Sequence, residues 1–566
     1  MELTTLDTVT GPASTEPTPA GPPRGPRLPG WSLVGIVVAA LVAGPLIALP
    51  GSFIGDWSLH PVARTLVGEA VRTSLLLALG VAVGTLVIGG GLAALISFYD
   101  FPGRRILDWA LVLPLAMPSY VLVFVILGAF GRANPLQSNL FGDGLQFDWI
   151  RSPIGAVAIL SGVLYPYVYI LGRAAFLGQS RSTFDAARSL GLSYGRTVVR
   201  VALPMARPAL AAGVALAMME TLADFGTVNL LGIQALTSVI YRLRTNLAAS
   251  TAALQLASVL VVLALSLVAI ERLARGRARY HQNLAVGEAI QPRRLQGWRA
   301  LLAAVPGTVL LAVVFALPMV QLVVWSVETV ADDALAENLG RAVGNTLLLG
   351  VLAAAIAVGT GTIVAYGGRS HRSRIGNAAA RLATVGYAVP GTVVAVAVYV
   401  PLVWVDRRFI DIADQWFGRS IGLVFTGTIL GLVLAYIVRF HALAYFAMES
   451  RMGAIHTNLD DAARSLGADR ARVLADVHLP LLGPGIGSAA LLVLVEVMKE
   501  LPATALLRPL GGDTLAITVW EATKDSRLDI AALPALLIVV VGLIPVIILV
   551  RLLRGDGWRQ AADTFS

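Results

Sequence analysis

Four acidic residues stand in strongly apolar surroundings, at matched places in the two halves of the chain. Glu220 and Asp224 lie in one apolar stretch, and Glu496 and Glu500 lie in another, each pair four residues apart. This spacing predicts that both members of a pair share one helical face, about 6 Å apart along the axis. Ionisable side chains inside a membrane are costly and usually face a cavity or a partner. Since carboxylates suit hard cations, we expect these acids to line or gate a route for a cation.

A structural network is the alternative role for the same acids. Lys499 lies three residues after Glu496 and next to Glu500, so it can neutralise one of them. Arg173 or Arg439 could pair with the others. The sequence leaves both roles open for Glu220, Asp224, Glu496, Lys499 and Glu500.

Other candidate metal ligands are weaker. Tyr165, Tyr167 and Tyr169 fall within one apolar stretch, where aromatic side chains more often pack or anchor. The six histidines are scattered, and the absence of cysteine excludes disulfides, iron–sulfur clusters and thiolate metal sites. We therefore expect no stable metal site and no cofactor bound by this chain.

The acids must be positioned by membrane helices. Hydrophobic residues make up 57% of the 566 residues and charged residues 14%, whereas soluble proteins carry about 25% charged residues. The apolar runs have the length that a helix needs to cross about 30 Å of hydrocarbon. The sequence predicts an all-α polytopic membrane protein with about twelve transmembrane helices, as two parallel six-helix repeats. The predicted spans are 32–50, 71–98, 107–129, 153–177, 207–231 and 252–271, then 300–326, 343–366, 382–404, 420–447, 482–502 and 531–552.

Arginine placement predicts the orientation. Basic residues concentrate in 104–105, 272–299, 369–381 and the segment after Arg551, whereas the loop 328–341 is acidic. The positive-inside rule places the basic segments and both termini in the cytoplasm. The net charge of +9 is explained by this placement beside helix ends, so the lipid bilayer is an expected partner and nucleic acid is not.

The predicted organisation is two permease halves joined by a connector. The Pro-, Gly-, Ser- and Thr-rich start lacks the short apolar core of a cleavable signal and is predicted to be disordered. The predicted division is a cytoplasmic tail 1–30, a first half 31–272 with a loop 181–205, a cytoplasmic linker 273–299, a second half 300–555 with a loop 456–481, and a tail 556–566.

The loops 181–205 and 456–481, here called the first and second repeated loops, carry the same motif 276 positions apart. Asp-Ala-Ala-Arg-Ser-Leu-Gly occupies 185–191 and 461–467, and Val-x-Leu-Pro follows after nine residues, ending at Pro204 and Pro480. A repeated polar loop between membrane helices predicts two equivalent docking points for a partner with two-fold symmetry. An amphipathic helix that only connects two spans is the alternative, but it explains the repetition poorly.

Local sequence predicts helix, glycine break, helix in each repeated loop. Ser182 or Thr183 is placed to cap the first piece, with the motif aspartate in its first turn. Gly191 is placed to end that helix in a left-handed conformation. Ser193 and, in the second loop, Asp469 are placed to cap the second piece.

The repeated pattern resembles the coupling motif of type I binding-protein-dependent ABC permeases, usually written Glu-Ala-Ala-x3-Gly-x9-Ile-x-Leu-Pro. Both copies carry Asp for Glu and Val for Ile. In such permeases the short helix of each loop sits in a groove on an ATPase. The residues that the resemblance assigns to ATPase coupling are Asp185, Ala186, Ala187, Gly191, Leu203, Pro204, Asp461, Ala462, Ala463, Gly467, Leu479 and Pro480.

Further segments are similar to fused ferric-iron permeases, and the resemblance covers roughly 60–555. They are Glu220–Val228 with Thr237–Arg242, and Val497–Thr504 with Leu507–Pro509, Asp513–Ala516 and Ala531–Pro534. The resemblance implies a multi-pass permease of the bacterial inner membrane that imports ferric iron. It also implies an extracytoplasmic binding protein and two separate ATPase subunits, a homodimer, which bind ATP and magnesium.

The residues themselves exclude a phosphate-binding P-loop. That motif requires Gly-Lys-Ser/Thr, and the two lysines, Lys499 and Lys524, are followed by Glu500 and Asp525. The chain is therefore expected to be a translocation subunit and not an enzyme, with ATP hydrolysed by a partner.

Several alternatives remain open. The same class of transporter could carry thiamine, a phosphonate, a polyamine or an oxyanion. An ion-coupled secondary carrier would need no ATPase and does not explain the twin loops. An intramembrane enzyme is disfavoured, because the Gly-x-Ser-x-Gly match at 191–195 follows a predicted helix and not a strand. Arg508 and Asp513, near the outer end of the eleventh span, are expected either to contact a binding protein or to lie in a solvated loop.

Overall fold

A computed structural model describes residues 30–54, 59–130, 148–245, 249–275, 290–331, 338–370, 374–418 and 422–562. The α-helices of the first half are α1 Gly30–Ala43, α2 Ala48–Gly51, α3 Pro61–Thr85, α4 Gly91–Phe98, α5 Arg104–Ala110, α6 Ser119–Ala129, α7 Pro153–Leu177, α8 Arg181–Ser189, α9 Tyr194–Thr197, α10 Leu203–Ala223, α11 Gly226–Leu230, α12 Leu236–Thr245 and α13 Ser250–Arg275. Those of the second half are α14 Trp298–Leu311, α15 Leu317–Ala331, α16 Leu339–Ser370, α17 Arg374–Ala383, α18 Gly391–Phe417, α19 Ile429–Gly453, α20 Thr457–Ser465, α21 Arg470–Arg472, α22 Leu479–Lys499, α23 Pro502–Leu507, α24 Leu515–Lys524 and α25 Leu528–Ala562.

Membrane-length helices dominate the described residues. Ten helices are long and apolar enough to span a bilayer, and two bent pairs raise the number to twelve if each pair is one span. This confirms the prediction of an all-α membrane protein with about twelve spans. Several predicted bounds were too narrow, since the second span begins at Pro61 and the last helix continues to Ala562.

The third span of each half is sharply bent and not straight. The segments Arg104–Ala116 and Ser119–Ala129 meet at 92°, and Ile375–Ala388 and Gly391–Trp416 meet at 116°. Pro118 and Pro390 stand at the two breaks. Proline lacks an N–H and disfavours helical geometry in the residue before it, so both bends have a local cause.

The first segment of each half packs against the other half. Helix α1 lies on α16 and α17, and a Cβ added at Gly35 would lie 3.8 Å from Ala379. Helix α14 packs on α4 and α5, and Val314 fills the space beside Gly162. Small residues permit this close approach of membrane helices. The two halves are therefore interlocked at both ends.

The end of the connector is fastened to the first half. Strand β1 (Tyr99–Asp100) pairs in parallel with strand β2 (Arg293–Arg294), and the Leu295 N–H donates to the Asp100 carbonyl at 2.9 Å. Residues 276–289 of the predicted linker, residues 1–29 of the tail and residues 332–337 of the acidic loop lie outside the described residues. The predicted division into halves, linker and tails stays a prediction.

Candidate functional site

The first repeated loop begins with a capped helix on the surface. Helix α8 starts at Arg181, and the Ser180 side chain accepts from the Thr183 N–H at 3.4 Å. The predicted cap, Ser182 or Thr183, is therefore wrong by two or three positions, and Asp185 lies in the second turn, 3.3 Å from Arg181. Gly191 ends the helix with φ of +88°, as its sequence position predicted.

The second repeated loop repeats this geometry with different capping. Helix α20 has His456 at its N-cap, without a side-chain hydrogen bond. Gly467 ends it with φ of +87°. Asp469 accepts from the Arg472 N–H at 2.8 Å, which confirms the predicted cap of the second piece.

Both repeated loops present the same surface outwards. The motif aspartates Asp185 and Asp461 are exposed. The matched leucines Leu190 and Leu466 are 86% and 89% exposed. An isolated exposed leucine is ordinary, but two at the same position of a repeated motif form a matched apolar contact on each loop. This surface suits a partner that binds both loops in the same way.

The inward face of the two loops differs in chemistry. The residue before the motif aspartate is Phe184 in the first loop and Asp460 in the second. Phe184 is buried, stacks on Phe98 at 5.7 Å between ring centroids, and meets the edge of Tyr194 at 5.1 Å. The first loop is thus held to the membrane body by aromatic contacts.

An ion cluster takes the place of these aromatic rings in the second loop. Asp460 is buried and accepts from Arg369 Nε at 3.0 Å and from His478 Nε2 at 2.8 Å. Burial raises the pKa of Asp460, but its hydrogen bond and ion pair with Arg369, helped by His478, outweigh burial and hold that pKa below its ordinary value. The ion pair therefore stabilises the loop above about pH 3.9, the ordinary pKa, and is lost only as pH falls through the lowered pKa. This cluster was not predicted. The two copies of the motif are identical but are preceded by Phe184 and Asp460, and this difference was the signal that could have indicated it.

Each loop is joined to the following span through a wide helical turn. Residues Val198–Ala202 and Val473–His478 form π-helical turns just before Leu203 and Leu479. Pro204 and Pro480 stand in the first turn of α10 and α22 and supply no N–H, so the helical hydrogen-bond ladder is interrupted at this point. The Leu-Pro of the motif thus sets the joint between loop and membrane helix.

Each pair of acids is divided, with one member on the long helix and the other in the non-helical residues that follow it. Helix α10 ends at Ala223 and helix α22 ends at Lys499, so Asp224 and Glu500 lie in extended backbone beyond the helices. The predicted shared helical face of each pair is therefore wrong. A run of apolar residues continues past the break, so composition did not reveal it.

Asp224 and Glu500 hold the short helices that follow each break. Asp224 accepts from Ser119 Oγ at 2.6 Å and from the Val228 N–H at 3.2 Å. Glu500 accepts from the Ala503 N–H at 3.0 Å and pairs with Arg439 Nε at 3.2 Å. These contacts give the two residues an evident structural role.

Glu220 and Glu496 lie on the helices themselves and face an open space. Lys499 Nζ donates to Glu496 at 2.9 Å, as expected. Glu220 makes no hydrogen bond or ion pair with any residue that the structure describes. Arg173, a predicted partner of these acids, instead binds both carboxylate oxygens of Asp108 at 2.5 and 2.7 Å.

Two adjoining cavities of about 130 and 160 Å³ lie where the halves meet. Both are lined by Tyr167, Glu220, Arg439 and Glu496. Together they collect all four predicted acids and two cationic side chains, Arg439 and Lys499. Carboxylates therefore outnumber cations by two in the lining, and this excess favours a positively charged solute over an anion.

The three tyrosines of α7 divide by position. Tyr165 donates to the Leu111 carbonyl at 2.8 Å and Tyr169 to the Asp108 carbonyl at 2.9 Å, so both hold α7 to the neighbouring bent span. Tyr167 lines the cavities. His441 makes the corresponding contact in the second half, from Nδ1 to the Ala383 carbonyl at 3.1 Å. No three or more His, Asp or Glu residues in the described part of the chain are arranged to hold a metal ion.

Arg508 and Asp513 are paired with each other. Arg508 Nη1 lies 2.6 Å from Asp513, and Arg508 Nη2 also contacts Glu521. The two residues therefore brace the segment between α23 and α24. Their predicted contact with a binding protein stays a prediction.

Comparisons with known proteins identify the class of this arrangement. Residues 86–280 and 357–555 both match the family model of the binding-protein-dependent transport system inner membrane component. An Fe(3+)-transport system permease protein, FbpB 2 of Haemophilus influenzae, is 26% identical over 499 residues, which cover 87% of this chain and 91% of that one. Escherichia coli ModB, a molybdenum transport system permease protein, is 31% identical over 28% of this chain and 69% of its own length. PhnU of Salmonella choleraesuis, a putative 2-aminoethylphosphonate transport system permease protein, is 28% identical over 38% of this chain and 77% of its own length. The chain belongs to the binding-protein-dependent ABC importer permeases, with the family's domain present twice in one polypeptide.

Proposed function

We propose that this chain is the translocation subunit of an ATP-driven importer for ferric iron. The observation that carries the proposal is the excess of carboxylates in the cavities between the halves. An oxyanion entering there would meet Glu220 and Glu496, whereas a hard cation would find oxygen ligands. The similarity to an Fe(3+)-transport permease over most of both chains supports the same substrate.

The route proposed for the cation passes Glu220 and Glu496. Asp224, Glu500 and Lys499 shape and gate this route, because Asp224 and Glu500 fix the breaks after α10 and α22, and Lys499 balances the charge of Glu496. These three residues line the cavity wall and also take part in the local hydrogen bonding. This arrangement supports a gate whose opening moves the short helices α11 and α23.

A homodimer of ATPase subunits is proposed to bind the two repeated loops, one subunit to each loop. The matched exposed surface, with Asp185 and Leu190 in one loop and Asp461 and Leu466 in the other, supports a partner made of two equivalent units. ATP and magnesium bind to those subunits, and an extracytoplasmic binding protein delivers the iron to the opposite face. The loops and both termini then lie in the cytoplasm of a bacterial inner membrane protein.

Reconstitution tests the substrate. The permease, its ATPase and its binding protein are placed in proteoliposomes, and ATP turnover and uptake are measured with ferric iron, molybdate, 2-aminoethylphosphonate, spermidine and thiamine. Ferric iron on the binding protein is expected to stimulate both. Stimulation by one of the other solutes alone would overturn the substrate assignment.

Cysteine labelling tests the orientation. The chain has no cysteine, so a single cysteine at Ser189 or at Ser465, matched positions in the two repeated loops, is the only reactive thiol. Both are expected to resist an impermeant maleimide added to intact cells and to react in inside-out vesicles. Labelling in intact cells would place the loops outside and contradict the proposal.

A further inference from the structure

Each half contributes one phenol and one carboxylate to the same cavity. Tyr167 on α7 and Glu220 on α10 come from the first half. Tyr387, in the turn Val385–Ala388, and Glu496 on α22 come from the second. Because the four side chains approach from both halves, an ion between them touches both halves of the protein.

Most oxygens of this set are open, whereas the nearby Asp224, Glu500 and Tyr165 are occupied by other contacts. Asp224 and Glu500 serve the breaks, and Tyr165 is bonded to the Leu111 carbonyl. In the described part of the chain, no hydrogen bond or ion pair joins Glu220, or the hydroxyl of Tyr167 or Tyr387, to another residue. Glu496 has one cationic neighbour, Lys499.

A buried tyrosine beside the set points independently to an absent ligand. Tyr120 is 4% exposed, and its hydroxyl has no hydrogen-bond partner among the described residues. It stands on the wall of the adjoining cavity, which also contains Tyr167, Glu220 and Glu496. A buried hydroxyl without a partner loses free energy, so a group that enters the cavity and bonds to it is favoured.

We propose that Tyr167, Glu220, Tyr387 and Glu496 form an oxygen-donor set that holds the hard cation briefly between the halves during import. The inference rests on the proposed function of ferric-iron import and adds the two phenols as specificity-determining residues. A phenol that binds the cation releases its proton to water and becomes a phenolate, a hard anionic oxygen ligand, so the step needs no redox partner. Softer or anionic solutes gain little from such ligands.

The surroundings keep this contact short-lived. Arg439 shares both cavities with the set, and Lys499 lies in the adjoining one. Their positive charge weakens cation binding, and conduction requires a site that is favourable enough to enter and weak enough to leave. Transport therefore depends on the balance between the four donors and these two cations.

The test uses the full chain with its ATPase and binding protein in nanodiscs and proteoliposomes. Ferric citrate is titrated into the nanodiscs, and the visible charge-transfer absorbance of an iron–phenolate bond is recorded. The wild type is expected to show this band, and the double variant Tyr167→Phe/Tyr387→Phe is expected to lose it.

Ferric uptake is measured in the proteoliposomes. It is expected to fall about tenfold or more in each of Tyr167→Phe, Tyr387→Phe, Glu220→Gln and Glu496→Gln, one power of ten per 1.4 kcal/mol of lost contact.

Tyr165→Phe is the matched control, because it removes a phenol from the same helix outside the cavities. It is expected to keep the absorbance band and the ferric uptake per folded molecule, with folded protein measured by size-exclusion chromatography. If the wild type imports ferric iron while all four variants do so at its rate, the donor set is wrong and the proposed function stands. If the wild type imports another solute and no iron, the proposed function and the donor set fail together.

Discussion

The two repeated loops have the same exposed surface but are attached to the membrane body by different kinds of contact. Outwards, both present the motif aspartate and a leucine that is more than 85% exposed. Inwards, Phe184 stacks on aromatic rings in the first loop, whereas Asp460 binds Arg369 and His478 in the second. The comparison teaches that the surface offered to a partner is held constant, while attachment to the membrane body is solved by different chemistry in each half.

The two solutions have different physical consequences. Aromatic packing is indifferent to pH, because it depends on buried apolar area and ring geometry and not on charge. The ion cluster requires defined geometry and leaves an unpaired buried charge when one partner is removed. We therefore expect the second loop to be the more rigidly attached and the more sensitive to single substitutions.

The largest effect is expected from Arg369→Met. Arg369 also donates to the Met452 and Ile455 carbonyls, at 2.5 and 2.9 Å, so its loss frees the end of α19 and leaves Asp460 without its main partner. Breaking a buried ion pair in this way costs about 3–5 kcal/mol. Thermal unfolding and amide hydrogen exchange of α20 measure the loss.

A double variant provides the control for Arg369→Met. Arg369→Met/Asp460→Leu removes both charges and is expected to regain part of the lost stability, because no carboxylate remains buried and unpaired. Equal instability of the single and double variants would show that the ion pair is not the cause.

Phe184→Ala is expected to have the next largest effect. Removing the ring from its contacts with Phe98 and Tyr194 costs about 3 kcal/mol, the lower end for a buried phenylalanine. Hydrogen exchange of α8 is expected to rise while that of α20 is unchanged. Leu190→Ala is the matched control in the same loop, and as an exposed residue it is expected to change stability by no more than about 0.5 kcal/mol. Equal exchange in α8 of the wild type and Phe184→Ala would contradict aromatic fastening.

The smallest effects, and equal ones, are expected from Gly191→Ala and Gly467→Ala. Both glycines have φ near +88°, and an added Cβ meets nothing within 4 Å, so only the conformational penalty remains. That penalty is about 1–2 kcal/mol for a residue with a side chain. Denaturation of the two variants under identical conditions measures it, and a clear difference between them would show that the loops are not equivalent at this position.

Sequence reasoning predicted the parts of the fold that depend on local pattern. Apolar runs gave the number of spans, and the motif glycines ended both loop helices as predicted. The bends of 92° and 116° within the third span of each half exceed what composition can express. The packing of α1 and α14 against the opposite halves could not be predicted. Helices buried among other helices and helices that face lipid are equally apolar, so composition does not tell them apart.

The candidate cavity was predicted in part. The four acids were found from their apolar surroundings, and the Lys499–Glu496 pair followed from spacing. The separate positions of Asp224 and Glu500 depend on helix ends that only Gly226 and Pro502, two residues further on, signal in the sequence. Tyr167 could not be told from Tyr165 and Tyr169 by type, since only the direction of each side chain from α7 decides which one reaches the cavity.

The packing of α1 and α14 against the opposite halves has a consequence for biogenesis. Helix α1 is synthesised some three hundred residues before the surfaces that it packs on, α16 and α17. Until then its small-residue face must rest against lipid or an insertion chaperone. The packing of α1 is therefore completed only after the second half has been made, and a truncation after the first six spans would leave α1 without these neighbours.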